Sequence, residues 1–224
     1  MEQKSIEWYK ARLGKITGSM VYTLMGTPRK KDEVFTDTAK GYLYQVAAER
    51  NLNEYYKGEH FDEWLQRTNI ETFAMRYGTE LEESARECYD AQLSPWLKVE
   101  ECGFNQHPAL KNYGDSPDGH VWEENTLVGC IEIKCPNPAT WMKYRDLFRQ
   151  GKTLKEVEEK YWWQCQSHLL CSGADWCDFV YYDKMQVDGL QVVRIMPDND
   201  DMAKIEERVS MADNYIENLL KTEN

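Results

Sequence analysis

The chain has no apolar run long enough to cross a bilayer and no signal-peptide pattern after Met1, so neither a membrane protein nor a secreted one is expected. It lacks the paired, clustered cysteines of a disulfide scaffold. Its seven cysteines are scattered at 88, 102, 130, 135, 165, 171 and 177, which points to reduced thiols in a cytoplasm. The evenly spaced Cys165, Cys171 and Cys177 fit neither an iron–sulfur run nor a zinc site, so buried free thiols are expected there. The four histidines, at 60, 107, 120 and 168, show no ligand spacing. No repeat, low-complexity stretch or linker interrupts the 224 residues, which suits a single domain over 1–224 with a sizeable core.

Positive charge is also scarce, with Lys+Arg 27 against Asp+Glu 39 and a net charge of -12. A nonspecific grip on a phosphate backbone wants the opposite balance. The distribution is uneven, however. Residues 1–31 carry Lys4, Lys10, Arg12, Lys15, Arg29, Lys30 and Lys31 against only Glu2 and Glu7, while acid gathers at 80–87 and 198–207. A bound metal would add positive charge that the count omits. The sum therefore argues against a strong nonspecific DNA binder and leaves a nuclease open.

What the chain does contain is periodicity. Met20, Val21, Leu24 and Met25 predict a short helix over 17–25, ended by Gly26 and Pro28. A second helix is predicted over 38–50. Capping-box patterns at 68–71 and 79–82 predict two further helices separated by Gly78. Strands are predicted at about 97–104, 119–122, 129–134, 178–182 and 190–195, and helices at 141–148 and 154–171. Met202, Ile205, Val209, Ile216 and Leu220 predict a final helix after the Asp-rich 198–201. The order implies an α/β fold, a central mixed sheet flanked by helices with a helical N-terminal part. Of the adjacent Trp162 and Trp163, at least one is expected in a core, since neighbours on a helix point different ways.

The chemistry concentrates in two pieces, Gly114-Asp115-Ser116-Pro117-Asp118-Gly119 and Cys130-Ile131-Glu132-Ile133-Lys134-Cys135-Pro136. Pro and Gly bracket Asp118 in a turn. The second piece alternates, so Glu132 and Lys134 share one strand face and Ile131 and Ile133 take the other. Taken singly, Asp118 is a good turn residue and Glu132 with Lys134 a solvated ion pair. Together they form the PD-(D/E)xK nuclease pattern. Asp118 and Glu132 offer hard oxygens to Mg2+, the Ile133 carbonyl lies between them, and Lys134 is placed to orient a water or stabilise a phosphate. Sharing the site with a metal would favour a lowered Lys134 pKa.

The wider sequence resembles the λ-exonuclease-like, YqaJ-type viral alkaline exonuclease family. Trp8-x3-Arg12-x-Gly14-x-Ile16-Thr17-Gly18-Ser19 is similar to its N-terminal signature. Gly78-x3-Glu82-x2-Ala85-Arg86, Ser116-Pro117-Asp118-Gly119, Glu132-Ile133-Lys134-Cys135-Pro136 and Tyr161-x2-Gln164-x-Gln166 follow in family order. The resemblance implies a restriction-endonuclease-like PD-(D/E)xK core and a Mg2+-dependent 5′→3′ exonuclease, with Mn2+ able to substitute. It implies Asp118, Glu132 and the Ile133 carbonyl as metal ligands, Lys134 as the catalytic lysine, Glu82 as an outer or second-metal carboxylate and Gln164 as holding site or substrate. Arg12 and Ser19, with Ser116 nearby, would bind a 5′-terminal phosphate.

Local alternatives stand beside these roles: Glu82 closing a capping box with Thr79, Gln164 a polar helix position, Thr17 an N-cap and Arg12 a surface charge. Independently of the family, Ser19 falls in the first turn of a predicted helix and Arg12 is an apt phosphate fork. The resemblance further implies double-stranded DNA ends as substrate, a ring-shaped homotrimer, a phage single-strand annealing protein as partner, and action in the host cytoplasm. The competing classes are a PD-(D/E)xK endonuclease and a non-catalytic DNA-binding relative.

Overall fold

The computed structural model describes residues 2–68 and 73–221, with residues 73–80 described by their backbone alone. In chain order the helices and strands are α1 (Ile6–Arg12), β1 (Ile16–Thr17), α2 (Gly18–Val21) running into a 3-10 turn (Tyr22–Met25), α3 (Asp37–Arg50), α4 (Glu54–Lys57), α5 (Phe61–Thr68), α6 (Phe73–Asp90), β2 (Leu97–Glu100), β3 (Asn105–Gln106) and β4 (Tyr113–Asp115). There follow β5 (Gly119–Glu123), β6 (Thr126–Lys134), α7 (Pro138–Arg149), α8 (Leu154–Val157), α9 (Glu159–Ser172), β7 (Trp176–Tyr182), β8 (Leu190–Ile195) and α10 (Asn199–Leu220). They gather into two compact units: Met1–Ile70, Gly103–Ser116 and Asn199–Asn224 in one, Glu71–Cys102 and Pro117–Asp198 in the other.

In the first unit β1, β4 and β3 form a small sheet, with β1 parallel and β3 antiparallel to β4. Helix α3 begins where the Thr36 hydroxyl accepts the Ala39 N–H at 3.1 Å. Its Leu43 and Val46 are buried, as are Ile205, Val209 and Ile216 of α10. Arg208 of α10 lies 4.6 Å over the Phe35 ring and donates to the Leu24 carbonyl at 2.7 Å and the Val34 carbonyl at 3.0 Å. That one guanidinium satisfies carbonyls that the short 3-10 turn and its following loop leave open.

The second unit is a five-stranded mixed sheet in the order β2-β5-β6-β7-β8, in which only β6 and β7 pair in parallel. The connection between them runs through α7, α8 and α9, as a parallel pair requires. Alternation along the strands divides two cores. Ile131, Ile133 and Val180 pack with Leu81, Ala85 and Tyr89 of α6. Cys130, Phe179 and Tyr181 pack on the other face with Trp141, Tyr144, Cys165 and Leu169. Because both faces are covered, a polar side chain on a central strand is buried wherever it points. Asp178 is one: it accepts from the Tyr89 hydroxyl at 2.8 Å and from Arg194 through two nitrogens at 2.9 Å each.

Several expected elements take another form. Gly78 does not break the helix; α6 is continuous from Phe73 to Asp90, so the 79–82 segment opens no second helix. A helical glycine costs about 1 kcal/mol, less than the burial of the Leu81, Ala85 and Tyr89 side chains against the sheet returns. The capping box at 68–71 lies outside the described residues. The strand expected at 97–104 ends at Glu100, because the chain leaves the second unit after Cys102 and β3 belongs to the first. The helix expected at 154–171 is broken at Glu158, whose backbone is extended at φ -155 and ψ 84. A true capping box opens α8 instead, between Thr153 and Glu156. The helices α1, α4 and α5 and the strands β1, β3 and β4 were not anticipated; all are short. Trp163 is the core member of its pair, at 2% exposure. All seven cysteines are free, with Cys102, Cys130, Cys165 and Cys177 buried.

The Asp178 network makes a stability prediction. Asp178→Ala removes the carboxylate that the Tyr89 hydroxyl and two Arg194 nitrogens bond, at an expected loss of about 2–3 kcal/mol. Urea unfolding of the metal-free protein measures it; a variant within a few tenths of wild type would show that water replaces the carboxylate without penalty.

Candidate active site

The site begins with β6. Its isoleucines face α6, so Glu132 points to the opposite core, where it is 1% exposed. Asp118 precedes β5 and is clamped to β6 twice. Its N–H donates to the Ile131 carbonyl at 2.9 Å, and its Oδ2 accepts the Ile133 N–H at 2.6 Å. Arg86 of α6 donates to the Asp118 carbonyl at 3.0 Å. Turn and strand thus bring Asp118, Ile133 and Glu132 together at the carboxyl end of β6.

Glu132 is held from two sides. Its Oε2 meets His168 Nε2 of α9 at 2.6 Å, and its Oε1 is ion-paired with Lys134. Burial alone would raise the Glu132 carboxyl; Lys134 and His168 outweigh it and hold it below its usual range. Burial alone would likewise lower the Lys134 ammonium, but Glu132 and Asp118 beside it, with the Tyr161 ring at 5.1 Å, keep it above its usual value. In the metal-free protein Lys134 is therefore a cation. Asp118 is pushed up to about 7, first by burial, then by repulsion from Glu132, with Glu82 adding and Lys134 and the Ile133 N–H opposing. Glu82 also helps burial push the Cys135 thiol up to about 12, which puts this half-buried α6 carboxylate within electrostatic reach of both residues. Gln164 is buried on α9, one turn before His168 on the same helix face.

The other candidates lie in the first unit. Arg12 Nη1 donates to the Ser116 hydroxyl at 3.2 Å, as does the Trp8 indole at 3.0 Å, and the guanidinium stacks 4.1 Å over the Trp8 ring. Arg12 and Ser19 line one cavity of about 240 Å3 together with Tyr9, Lys15, Tyr42 and Trp64. Burial lowers the Arg12 guanidinium, against Asp115, Tyr42 and Glu49, which support its charge. Burial likewise lowers Lys15. Gly18 passes so close to Asp115 that a Cβ would sit 1.9 Å from its carboxylate. Two expectations change here. The 17–25 helix is four α-helical residues and a 3-10 turn, too short for a sizeable dipole at Ser19. Thr17 caps nothing with its side chain; its N–H donates to the Tyr42 hydroxyl at 2.9 Å and its hydroxyl lies 3.4 Å from that of Ser19.

Sequence reasoning missed His168, Trp8 and Lys15. The i, i+4 spacing of Gln164 and His168 on an amphipathic helix was the available signal for the first. Trp8 and Lys15 lay inside the N-terminal block without an assigned contact.

Among the described residues no three His, Cys, Asp or Glu side chains converge tightly enough to enclose an ion. The donors nevertheless suit Mg2+, which keeps several waters and takes one or two carboxylates rather than an all-protein cage. Glu132 Oε1 is buried and is paired with the Lys134 ammonium. Asp118, pushed up to about 7 by burial and then by Glu132 and Glu82, carries a repulsion that a cation would relieve.

The family profile of the YqaJ-like viral recombinase domain matches residues 7–175. Among solved structures, an alkaline exonuclease (LHK-Exo) from Laribacter hongkongensis is 32% identical at a TM-score of 0.73, over 95% of this chain and 93% of its own. Its structure in complex with dAMP gives the same figures. A phage related exonuclease from Haemophilus somnus 129PT, 20% identical at a TM-score of 0.62 over 92% of this chain and 95% of its own, shares the fold. No curated protein sequence matches the chain.

The Asp118 environment gives a signed pH dependence. Its carboxyl is raised from 3.8 to about 7, so folding favours the protonated form, and the stability this contributes below 3.8 is lost as pH rises through 7. In chelator, Asp118→Asn, which keeps an acceptor for the Ile133 N–H, is expected to melt above wild type by a margin that widens over that interval. Melting followed by circular dichroism across pH checks this; a constant or shrinking margin contradicts it.

Proposed function

Because the chain belongs to the YqaJ-like viral recombinase domain family, we propose that it is a Mg2+-dependent exonuclease. It digests one strand of linear double-stranded DNA in the 5′→3′ direction from 5′-phosphorylated ends, releases mononucleotides and leaves a 3′ single strand. The observation that carries this reading is the grouping of Asp118, Glu132 and the Lys134 cation at one strand end. The similarity to an alkaline exonuclease at 32% identity supports it.

The residues divide the work. Asp118 and Glu132, with the Ile133 carbonyl, hold the cation; Glu82 extends the acidic set. When bound, Mg2+ polarises the scissile phosphate and makes a bound water more acidic. Lys134, fixed against Glu132, orients the attacking water and offsets charge that grows on the phosphate. Gln164 supports this face from α9. Arg12, already within reach of the Ser116 hydroxyl, takes the terminal phosphate as a charged fork, with Ser19 lining the same cavity. Mn2+ serves in place of Mg2+.

The reading includes a ring-shaped homotrimer around the duplex and cooperation with a phage single-strand annealing protein in the host cytoplasm. Encirclement explains how a chain of net charge -12 stays on DNA, since topology replaces many phosphate contacts. No helix among the described residues is long and apolar enough to cross a membrane.

Digestion of matched linear and covalently closed circular duplexes with Mg2+ tests the assignment. Linear DNA with 5′-phosphates should be degraded and the circle left intact; cutting of the circle identifies an endonuclease instead. Lys134→Ala should lose on the order of 100-fold or more in rate, and full activity in that variant refutes its role. Arg12→Ala should lose the preference for phosphorylated over hydroxyl ends, worth about tenfold or more; a retained preference moves the phosphate site elsewhere.

A further inference from the structure

Glu132 cannot orient itself. Its carboxylate rotates about its own side-chain bonds, and the Lys134 ammonium, a compact charge, attracts it without fixing its plane. The remaining partner is directional. His168 Nε2 lies 2.6 Å from Glu132 Oε2, with His168 at 0% and Glu132 at 1% exposure. An ionised carboxylate only accepts hydrogen bonds, so Nε2 carries the hydrogen and the imidazole is the donor. This bond takes Oε2 and leaves Oε1 on the side of Lys134.

The imidazole is itself anchored. Helix α9 buries Trp163, Cys165 and Leu169 around it. One turn of the same helix is tied down by Gln166, whose Oε1 accepts the Asp198 N–H at 2.8 Å and whose Nε2 donates to the Met196 carbonyl at 3.0 Å. Gly173 ends the helix in a left-handed conformation, with its N–H on the Leu169 carbonyl. The donor to Glu132 is thus set by a helix fixed through its packing and its backbone bonds, not by a mobile loop.

We propose that His168 is a positioning residue that fixes the Glu132 carboxylate for the divalent cation. The proposal rests on the metal-dependent nuclease reading above. It assigns to a buried histidine of α9 the task of holding one oxygen of Glu132 so that the other is presented in a single orientation. Partners of this kind, one bond removed from the metal, commonly govern affinity for it.

Three variants test it: His168→Leu, which removes the donor but keeps bulk; His168→Gln, whose amide nitrogen reaches about as far as Nε2; and His168→Asn, whose amide falls short. Two quantities are measured on each full-length protein: Mn2+ binding by calorimetry without DNA, and the Mg2+ concentration giving half-maximal digestion of a 5′-phosphorylated linear duplex. His168→Leu and His168→Asn should weaken both by about 10–100-fold, while His168→Gln stays within a few-fold of wild type. Digestion at saturating Mg2+ should fall far less than the metal constants, because Asp118 and Lys134 remain.

A His168→Leu or His168→Asn protein with wild-type metal constants overturns the proposal. So does a His168→Gln protein as impaired as His168→Leu, since bulk rather than the hydrogen bond would then matter. If His168→Leu fails to fold, the Gln and Asn pair decides alone. A wild-type chain that neither binds Mn2+ nor digests DNA refutes the nuclease reading itself; an active wild type with unaffected variants refutes only the role of His168.

Discussion

A carboxylate buried in the middle of a sheet covered on both faces is the constraint around which the second unit is organised. Glu132 sits on β6, where one face packs on α6 and the other on α7 to α9. A charge in that position is prohibitive unless neighbours compensate it. Two residues farther along the same strand face, Lys134 supplies the opposite charge, and His168 supplies a hydrogen bond from α9. The clamp of Asp118 on β6 then places a second carboxylate beside the first, and its proton affinity rises, first through burial and then through repulsion from Glu132. Excess negative charge held rigidly at a strand end is what a divalent cation satisfies, and the proposed chemistry grows from that deficit.

The first unit meets a different problem with related means. Arg12 is drawn out of water but keeps its charge through Asp115, Tyr42 and Glu49, and its guanidinium carbon sits 4.1 Å over the Trp8 ring. A guanidinium prepared in this way binds an anion with little reorganisation. The overall charge of -12 says nothing about it, since that sum runs over the whole chain while the guanidinium answers to its own neighbours, Asp115 and Glu49. Ser116, which Arg12 and Trp8 both contact, is followed directly by Pro117 and Asp118, so a single stretch of chain carries residues of both candidate sites.

Much of this was legible in the residues. Ile131 and Ile133 alternate with Glu132 and Lys134, and a strand admits only two sides, so their division between faces followed from the spacing. The final helix was legible because Ile205, Val209 and Ile216 recur at helical spacing over many turns. Gly78 was misleading because the burial that carries α6 through it comes from residues distant in the chain. Glu158 was misleading in the opposite sense: nothing local marks the break between α8 and α9. Thr17 read as a cap and serves as a partner of Tyr42, a contact that exists only once α3 has packed.

The sequence by itself determined which groups this protein has for its chemistry and their order on the strand, because strand geometry and turn-forming residues are local properties. Composition and spacing also set the family signature and the sheet-forming segments. Only the tertiary structure decided that Glu132 is fully buried, that His168 rather than solvent holds it, and that the Asp118 carboxyl is pushed up to about 7. Those outcomes depend on which elements cover each face of the sheet, and so on desolvation and on charges brought close from distant parts of the chain, quantities that have no value until the chain has folded.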